Sequence, residues 1–220
     1  MPRPHAVVVG AGPGLGASLA RALAPTHDLT LAARTTGDLE DLAAETGARL
    51  RAADASDPDA VAALFDAVPD PLAVAVYNPW ARSRGPIADL DPADVRRALD
   101  VTAFGAFLVG QAAARRMLGN PGPVRGTILF TGASAGVKGF PQSAPFAMGK
   151  FAQRGLAQSM SRELHPRGVH VAWVNIDGAI GRGEGQLEPD AIARTYMALV
   201  DQPPSAWTEE LAVRPMGERF

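Results

Sequence analysis

Short apolar runs alternate with stretches of helical periodicity along the whole chain. His5–Gly10, Leu29–Ala33, Ala48–Ala53, Leu72–Tyr77, Thr127–Thr131, Val169–Asn175 and Leu211–Arg214 read as strands. Between them, Gly14–Ala24, Thr36–Thr46, a stretch near Asp59–Val68, Asp91–Leu118, Ser143–Leu164 and Pro189–Val200 read as helices. The helix from Asp91 carries its own start signals. Asp91 can cap it, Pro92 suits the first turn because it has no N–H, and Asp94 faces the positive end of the dipole. The helix from Ser143 must stop before Pro166. Strands that are apolar throughout, separated by helices, predict a single α/β domain with a doubly wound parallel sheet covered on both faces.

No linker, repeat or low-complexity tract interrupts residues 1–220, and Gly119–Pro123 reads as a loop. Ala179–Glu188, with Gly181, Gly183 and Gly185, is expected to be mobile. It follows a strand's C-terminal end, where such sheets bind ligands, and 179–201 is expected to form a substrate lid. Composition narrows the function. The chain is 47% hydrophobic with a formal net charge of -2, which gives no electrostatic reason to expect nucleic acid or an anionic membrane as partner. The absence of cysteine excludes disulfides and thiol catalysis and fits a cytoplasmic location. The apolar run Ala6–Val9 is too short for a signal peptide. The four histidines show no metal-ligand spacing, so no metal is expected.

Val7-Val-Val-Gly10 leads into Ala11-Gly12-Pro13-Gly14-Leu15-Gly16, and a helix follows. A tight strand-to-helix turn at the start of the chain, free of Cβ atoms where phosphates approach, is the dinucleotide-binding arrangement of a Rossmann fold. Gly10, Gly12, Gly14, Leu15 and Gly16 are therefore expected to hold a cofactor. The second strand ends in Leu31-Ala-Ala-Arg34, with no acid to hold ribose hydroxyls. Arg34 can pair with a 2′-phosphate, so NADP is expected over NAD. Asp54 ends the third strand. It either accepts from the adenine amino group or caps the next helix.

With these residues the chain resembles the short-chain dehydrogenase/reductase family over nearly its whole length. Gly10-xxx-Gly14-x-Gly16 matches that family's cofactor turn, and Val76-Tyr-Asn78 resembles its segment at the fourth strand. Met148-Gly-Lys150-Phe-Ala and Leu156-Ala-Gln-Ser-Met-Ser-Arg-Glu163 resemble its active-site helix. The ending Pro203–Phe220, with Ala206-Trp-Thr and Leu211-Ala-Val-Arg-Pro215, looks like that of a bacterial subgroup. The resemblance implies a sheet of about seven parallel strands, a nicotinamide cofactor held in part by Asn78 and Lys150, a small-molecule substrate, and a homodimer or homotetramer built on the two long helices.

The chemistry-bearing positions depart from the family pattern. Its proton-donating Tyr, four residues before the Lys, maps onto Phe146, which cannot give or take a proton. Its Ser maps onto Ala133, its helical Asn onto Thr102, and the Thr that touches the nicotinamide amide onto Arg182. Three groups could still act. Lys150 lies one turn after Phe146 on the same helix face. Ser134 either donates to a carbonyl or serves the turn Gly132-Ala-Ser-Ala-Gly136. Asp177 is either a general acid/base or the first residue of an Asp-Gly turn. Trp80 and Tyr196 either line a substrate pocket or pack, and Thr102 is expected to bond its own helix backbone. These residues suit an NADPH-linked reductase of a small carbonyl or imine with an unusual proton route. An NADP(H)-binding protein without turnover, and a non-redox lyase or isomerase using Asp177 and Ser134, compete with that reading.

Overall fold

The computed structural model describes residues 3–217. The first two residues and the last three of the Pro203–Phe220 ending lie outside the described residues. The strands are β1 (His5–Val9), β2 (Asp28–Ala33), β3 (Arg49–Ala52), β4 (Leu72–Tyr77), β5 (Gly126–Thr131), β6 (Val169–Ile176) and β7 (Glu210–Val213). They form one sheet in the order β3-β2-β1-β4-β5-β6-β7, parallel at every pair. The helices are α1 (Leu15–Leu23), α2 (Glu40–Thr46), α3 (Pro58–Asp66), α4 (Pro92–Leu99), α5 (Gly105–Met117), α6 (Ala144–Leu164) and α7 (Pro189–Val200).

Successive strand residues point to opposite faces, and both faces are apolar. Val7, Val9, Ala75, Tyr77, Ile128, Phe130 and Trp173 pack under α3, α5 and α6. Ala6, Val8, Leu29, Leu31, Val74, Val76, Leu129 and Val174 pack under α1, α2 and α7. Burying a side chain such as Val, Leu or Phe is worth roughly 1.5–3 kcal/mol, so a strand apolar on both sides is satisfied only between two helix layers. Val9 stands level with Ala32 on one side and Tyr77 on the other, which aligns the loops that leave β1, β2 and β4. Strand order reverses between β1 and β4, and this switch point opens a crevice at the carboxyl ends.

Two local expectations are corrected. Asp91 does cap its helix, accepting from the Ala93 amide at 2.8 Å. The single helix from Asp91 to Leu118, however, is interrupted by a π-helical turn at Asp100–Phe104. The Tyr77 hydroxyl donates to the Val101 carbonyl there, and a Cβ on Gly105 would lie 2.5 Å from that hydroxyl, so tertiary contact with β4 widens the turn. Asp54 is not the cap of α3. Asp57 is, accepting from the Asp59 and Ala60 amides at 2.8 and 3.2 Å. Within the glycine-rich segment after β6, the Gly181 amide donates to Leu187 O and the Leu187 amide to Ala179 O. Among the described residues no helix is long and apolar enough to cross a membrane.

Candidate functional site

A cleft of about 730 Å³ lies over the switch point. Its walls come from the loops that leave the carboxyl ends of the first six strands. At one end are Gly10–Gly16, Arg34, Thr35, Asp38 and Asp54; at the other are Asn78–Arg82, Thr131–Ala133, Phe146, Lys150 and Ile176 with Gly178–Ile180.

The glycines of the turn divide by what surrounds them. Gly10 has φ +78°, and a Cβ there would sit 2.7 Å from the Pro79 ring. A Cβ on Gly16 would meet Ala11 Cα at 2.9 Å. The protein itself therefore requires these two. A Cβ on Gly12 or Gly14 would meet nothing within 4 Å, so the bare backbone at those positions faces open cleft. Leu15 opens α1 from a buried position and no side chain caps that helix; the Ala17 amide donates to Gly12 O and Gly14 O, which leaves the Leu15 and Gly16 amides without an acceptor among the described residues. Asn78 clamps the turn: its amide donates to Val9 O at 2.9 Å, and its side-chain Nδ2 to Gly10 O at 3.0 Å.

Arg34 is exposed at the rim and makes no ion pair among the described residues. Asp54 Oδ1 accepts from the Ser56 hydroxyl at 2.7 Å and the Ser56 amide at 2.9 Å. These bonds hold the Asp54 carboxyl below the usual carboxylate range, and Arg34 adds a smaller pull. This end of the cleft offers an unpaired guanidinium, a fixed carboxylate and a helix N-terminus around bare backbone. That set fits the phosphates and adenosine of a dinucleotide.

At the other end, Lys150 reaches in from α6 while only 1% exposed. Its Nζ donates to Thr131 O at 2.6 Å and to Gln153 Oε1 at 3.3 Å. Burial, with a smaller push from Arg82, lowers its pKa to about 7. Gln153 Oε1 also accepts from Trp173 Nε1 at 3.2 Å, which locks the amide that orients the lysine. Phe146 lies above Lys150, its ring centroid 6.0 Å from Nζ, and Trp80 meets it edge-on at 6.0 Å. Arg82 lies against both rings, its Cζ 4.1 Å from the Phe146 centroid and 5.2 Å from that of Trp80.

Not every residue expected here faces this space. Ala133 lines the cleft and Ser134 does not; Ser134 begins a 3₁₀ turn and accepts the Val137 and Lys138 amides on its carbonyl. Asp177 is 2% exposed, turned away from the cleft and paired with Arg214 at 3.2 Å, while its neighbours Ile176 and Gly178 form the wall. Thr102 does not bond its own helix; its hydroxyl accepts from the Ala81 amide at 3.1 Å. Tyr196 is core, its hydroxyl 2.8 Å from that of Thr131. Arg182 pairs with Glu188 and Asp190 outside the cleft. Arg82 and Gln153 were not singled out from the sequence. Gln153, three residues after Lys150, could have been found by helix spacing. Arg82 lies on a loop without periodicity.

A doubly wound sheet with a glycine turn and a cleft at its switch point defines a dinucleotide-binding domain. Residues 4–179 match the short chain dehydrogenase family, and the chain belongs to that family of NAD(P)-binding oxidoreductases. It is 30% identical over 195 residues to L-2,3-butanediol dehydrogenase of Corynebacterium glutamicum, covering 81% of this chain and 72% of that one. A short-chain dehydrogenase from Rhodopseudomonas palustris superposes with a TM-score of 0.87 at 34% identity, over 98% of this chain and 100% of that one. A metagenomic short-chain oxidoreductase in complex with NADP superposes with a TM-score of 0.86 at 29% identity, over 97% of each chain.

Proposed function

We propose that this protein is an NADPH-linked reductase of a small carbonyl or imine substrate, an atypical member of its family in which Phe146 replaces the proton-donating Tyr. The observation that carries this reading is the juxtaposition of Phe146 and Lys150 in a cleft whose far end suits a dinucleotide. Gly12, Gly14, Leu15 and the start of α1 would hold the phosphates, with Gly10 and Gly16 shaping the turn. Arg34 would hold a 2′-phosphate, Asp54 the adenine, and Asn78 and Lys150 the nicotinamide half. Bound NADPH would supply a hydride to the substrate.

The proton is the chain's own problem. Past Asn78 the ionisable side chains lining the cleft are Arg82 and Lys150, and the Thr131 hydroxyl is engaged with Tyr196. A neutral lysine amine has two N–H donors, which match Thr131 O and Gln153 Oε1. The third proton of the ammonium is therefore the one that can leave. Burial lowers the Nζ pKa to about 7, towards the range that suits a general acid at neutral pH. A substrate that arrives as an iminium needs no donor, because hydride addition already yields a neutral amine. Ser134 and Asp177 keep at most supporting roles, since neither side chain lines the cleft. A lyase or isomerase reading rests on those two groups and draws no support from this lining. Binding without turnover is favoured only by the lack of a free hydroxyl beside Phe146. The segment 179–201 would act as lid, with Ala179 and Ile180 already at the wall.

The test is a fluorescence titration with NADPH and NADH. NADPH is expected to bind more tightly than NADH, and Arg34→Ala is expected to lose about tenfold or more in NADPH affinity while leaving NADH unchanged, as the removal of a charged hydrogen-bonding partner should. Equal affinities in the wild type would contradict the NADP assignment.

A further inference from the structure

We infer that Arg82 is a specificity residue that pairs with a carboxylate on the substrate, so that the substrates are oxo or imino acids rather than neutral ketones. This rests on the cofactor-binding reading of the cleft above. The charge distribution in the cleft carries it. The carboxylates that line it, Asp38 and Asp54, both sit at the adenosine end. At the substrate end the ionisable groups are Arg82 and Lys150, and both are basic. Arg82 has no hydrogen bond or ion pair among the described residues, a state it shares in this cleft with Arg34 at the far end, while Arg21, Arg154 and Arg182 are each matched with an acid.

The way Arg82 is held points to the geometry of its partner. The guanidinium of Arg82 lies within cation–π reach of both Phe146 and Trp80, while its N–H edge has no partner among the described residues. That edge is planar and matches the two oxygens of a carboxylate through parallel hydrogen bonds. Contact with the two rings holds the guanidinium at the cleft wall before the ligand arrives. Arg82 is exposed at the cleft wall with a second cation, Arg84, acting on it, and an anion entering the cleft balances this positive field. In keeping with this, partial burial and neighbouring Arg84 hold the Arg82 pKa below its usual range. Phe146 contributes directly, because its unsubstituted ring can be covered by the guanidinium next to where the reacting carbon must lie. Lys150 then serves the carbonyl or imine end and Arg82 the acid end of one small molecule.

The experiment compares matched acids and esters by calorimetry: benzoylformate with its methyl ester, and pyruvate with its methyl ester. Each is titrated into wild type, Arg82→Met and Arg82→Lys, with and without saturating NADPH, after thermal melts. At least one acid is expected to bind wild type about tenfold more tightly than its ester. Arg82→Met should erase that preference, and Arg82→Lys should restore only part of it, because a lysine cannot make the planar fork. No preference for either acid in wild type would overturn the inference, as would a preference that survives Arg82→Met. If Arg82→Met does not fold, the wild-type comparison and Arg82→Lys decide alone. A fall in NADPH affinity in Arg82→Met with the acid preference intact would assign Arg82 to the cofactor instead. Failure of wild type to bind NADPH would strike the cofactor reading, while the titrations without NADPH would still score the acid preference.

Discussion

Phe146 and tyrosine differ by one oxygen atom, and the surroundings of Phe146 say what that atom would meet. Lys150 stands one helical turn on, Arg82 covers the ring, and the nearest wall of β5 presents Ala133 rather than a hydroxyl. Phe146→Tyr alone is expected to fold normally, keep its NADPH affinity and gain less than about tenfold in ketone reduction. The double change Phe146→Tyr with Ala133→Ser is expected to gain about 10²-fold or more, because general acid catalysis contributes 10²–10⁴-fold when the carbonyl is also held. Turnover of the natural substrate should stay equal or fall. A large gain in natural turnover from Phe146→Tyr alone would mean that the wild type is an impaired ketone reductase.

Lys150 gives a second test at the same scale. Its folded pKa of about 7 lies below the usual lysine value of 10.5, because burial disfavours the charged form. Between those values the unfolded chain carries a proton that the folded chain has released, so this group makes stability rise with pH across that window and flatten below pH 7. Melting wild type and Lys150→Met from pH 6 to pH 10 should show the difference moving in favour of wild type above pH 7. A pH-independent difference would contradict the shifted lysine.

At the scale of elements, the turn between β1 and α1 separates folding from binding. Gly10 is required by its positive φ and the Pro79 ring beside it, and Gly12 by nothing inside the protein. Gly12→Ala is therefore expected to melt within about 2 °C of wild type, since surface changes of this kind are usually within ±0.5 kcal/mol, yet to lose most NADPH binding. Gly10→Ala should lower Tm by several degrees, as overpacking by one Cβ costs about 1–3 kcal/mol. If Gly12→Ala binds NADPH normally, the phosphates do not lie on this turn. The turn was legible in the sequence because glycine spacing, strand and helix are neighbours in the chain. The π-helical turn at Asp100–Phe104 was not, because its cause is Tyr77, a contact from another strand.

For the whole molecule, the outer surfaces of the two long helical stretches remain apolar. Phe104 and Phe107 stack at 6.2 Å and, with Met148 and Phe151, are left exposed. Apolar patches of this kind mark association sites, and we expect a homodimer or homotetramer built on these helices. Light scattering at micromolar concentration should give an even multiple of the 22.9 kDa chain, and Phe107→Glu should shift the mass towards one chain. A wild-type monomer would end this expectation.

The sequence by itself determined whatever is written in local spacing. Apolar runs between helical periods predicted a parallel sheet between two helix layers, and the seven strands follow that order. Glycine spacing marked the turn, and the four-residue interval from Phe146 to Lys150 put both on one helix face. Tertiary structure alone decided which member of an adjacent pair faces the cleft. Ala133 rather than Ser134, and Gly178 rather than Asp177, form the wall. Where a strand ends, one residue of register reverses a side chain's direction, and that register is set by pairing with strands distant in the chain. Arg82 is the clearest case: nothing in its loop signals a role until β4, α6 and the Phe146 ring are brought together around it.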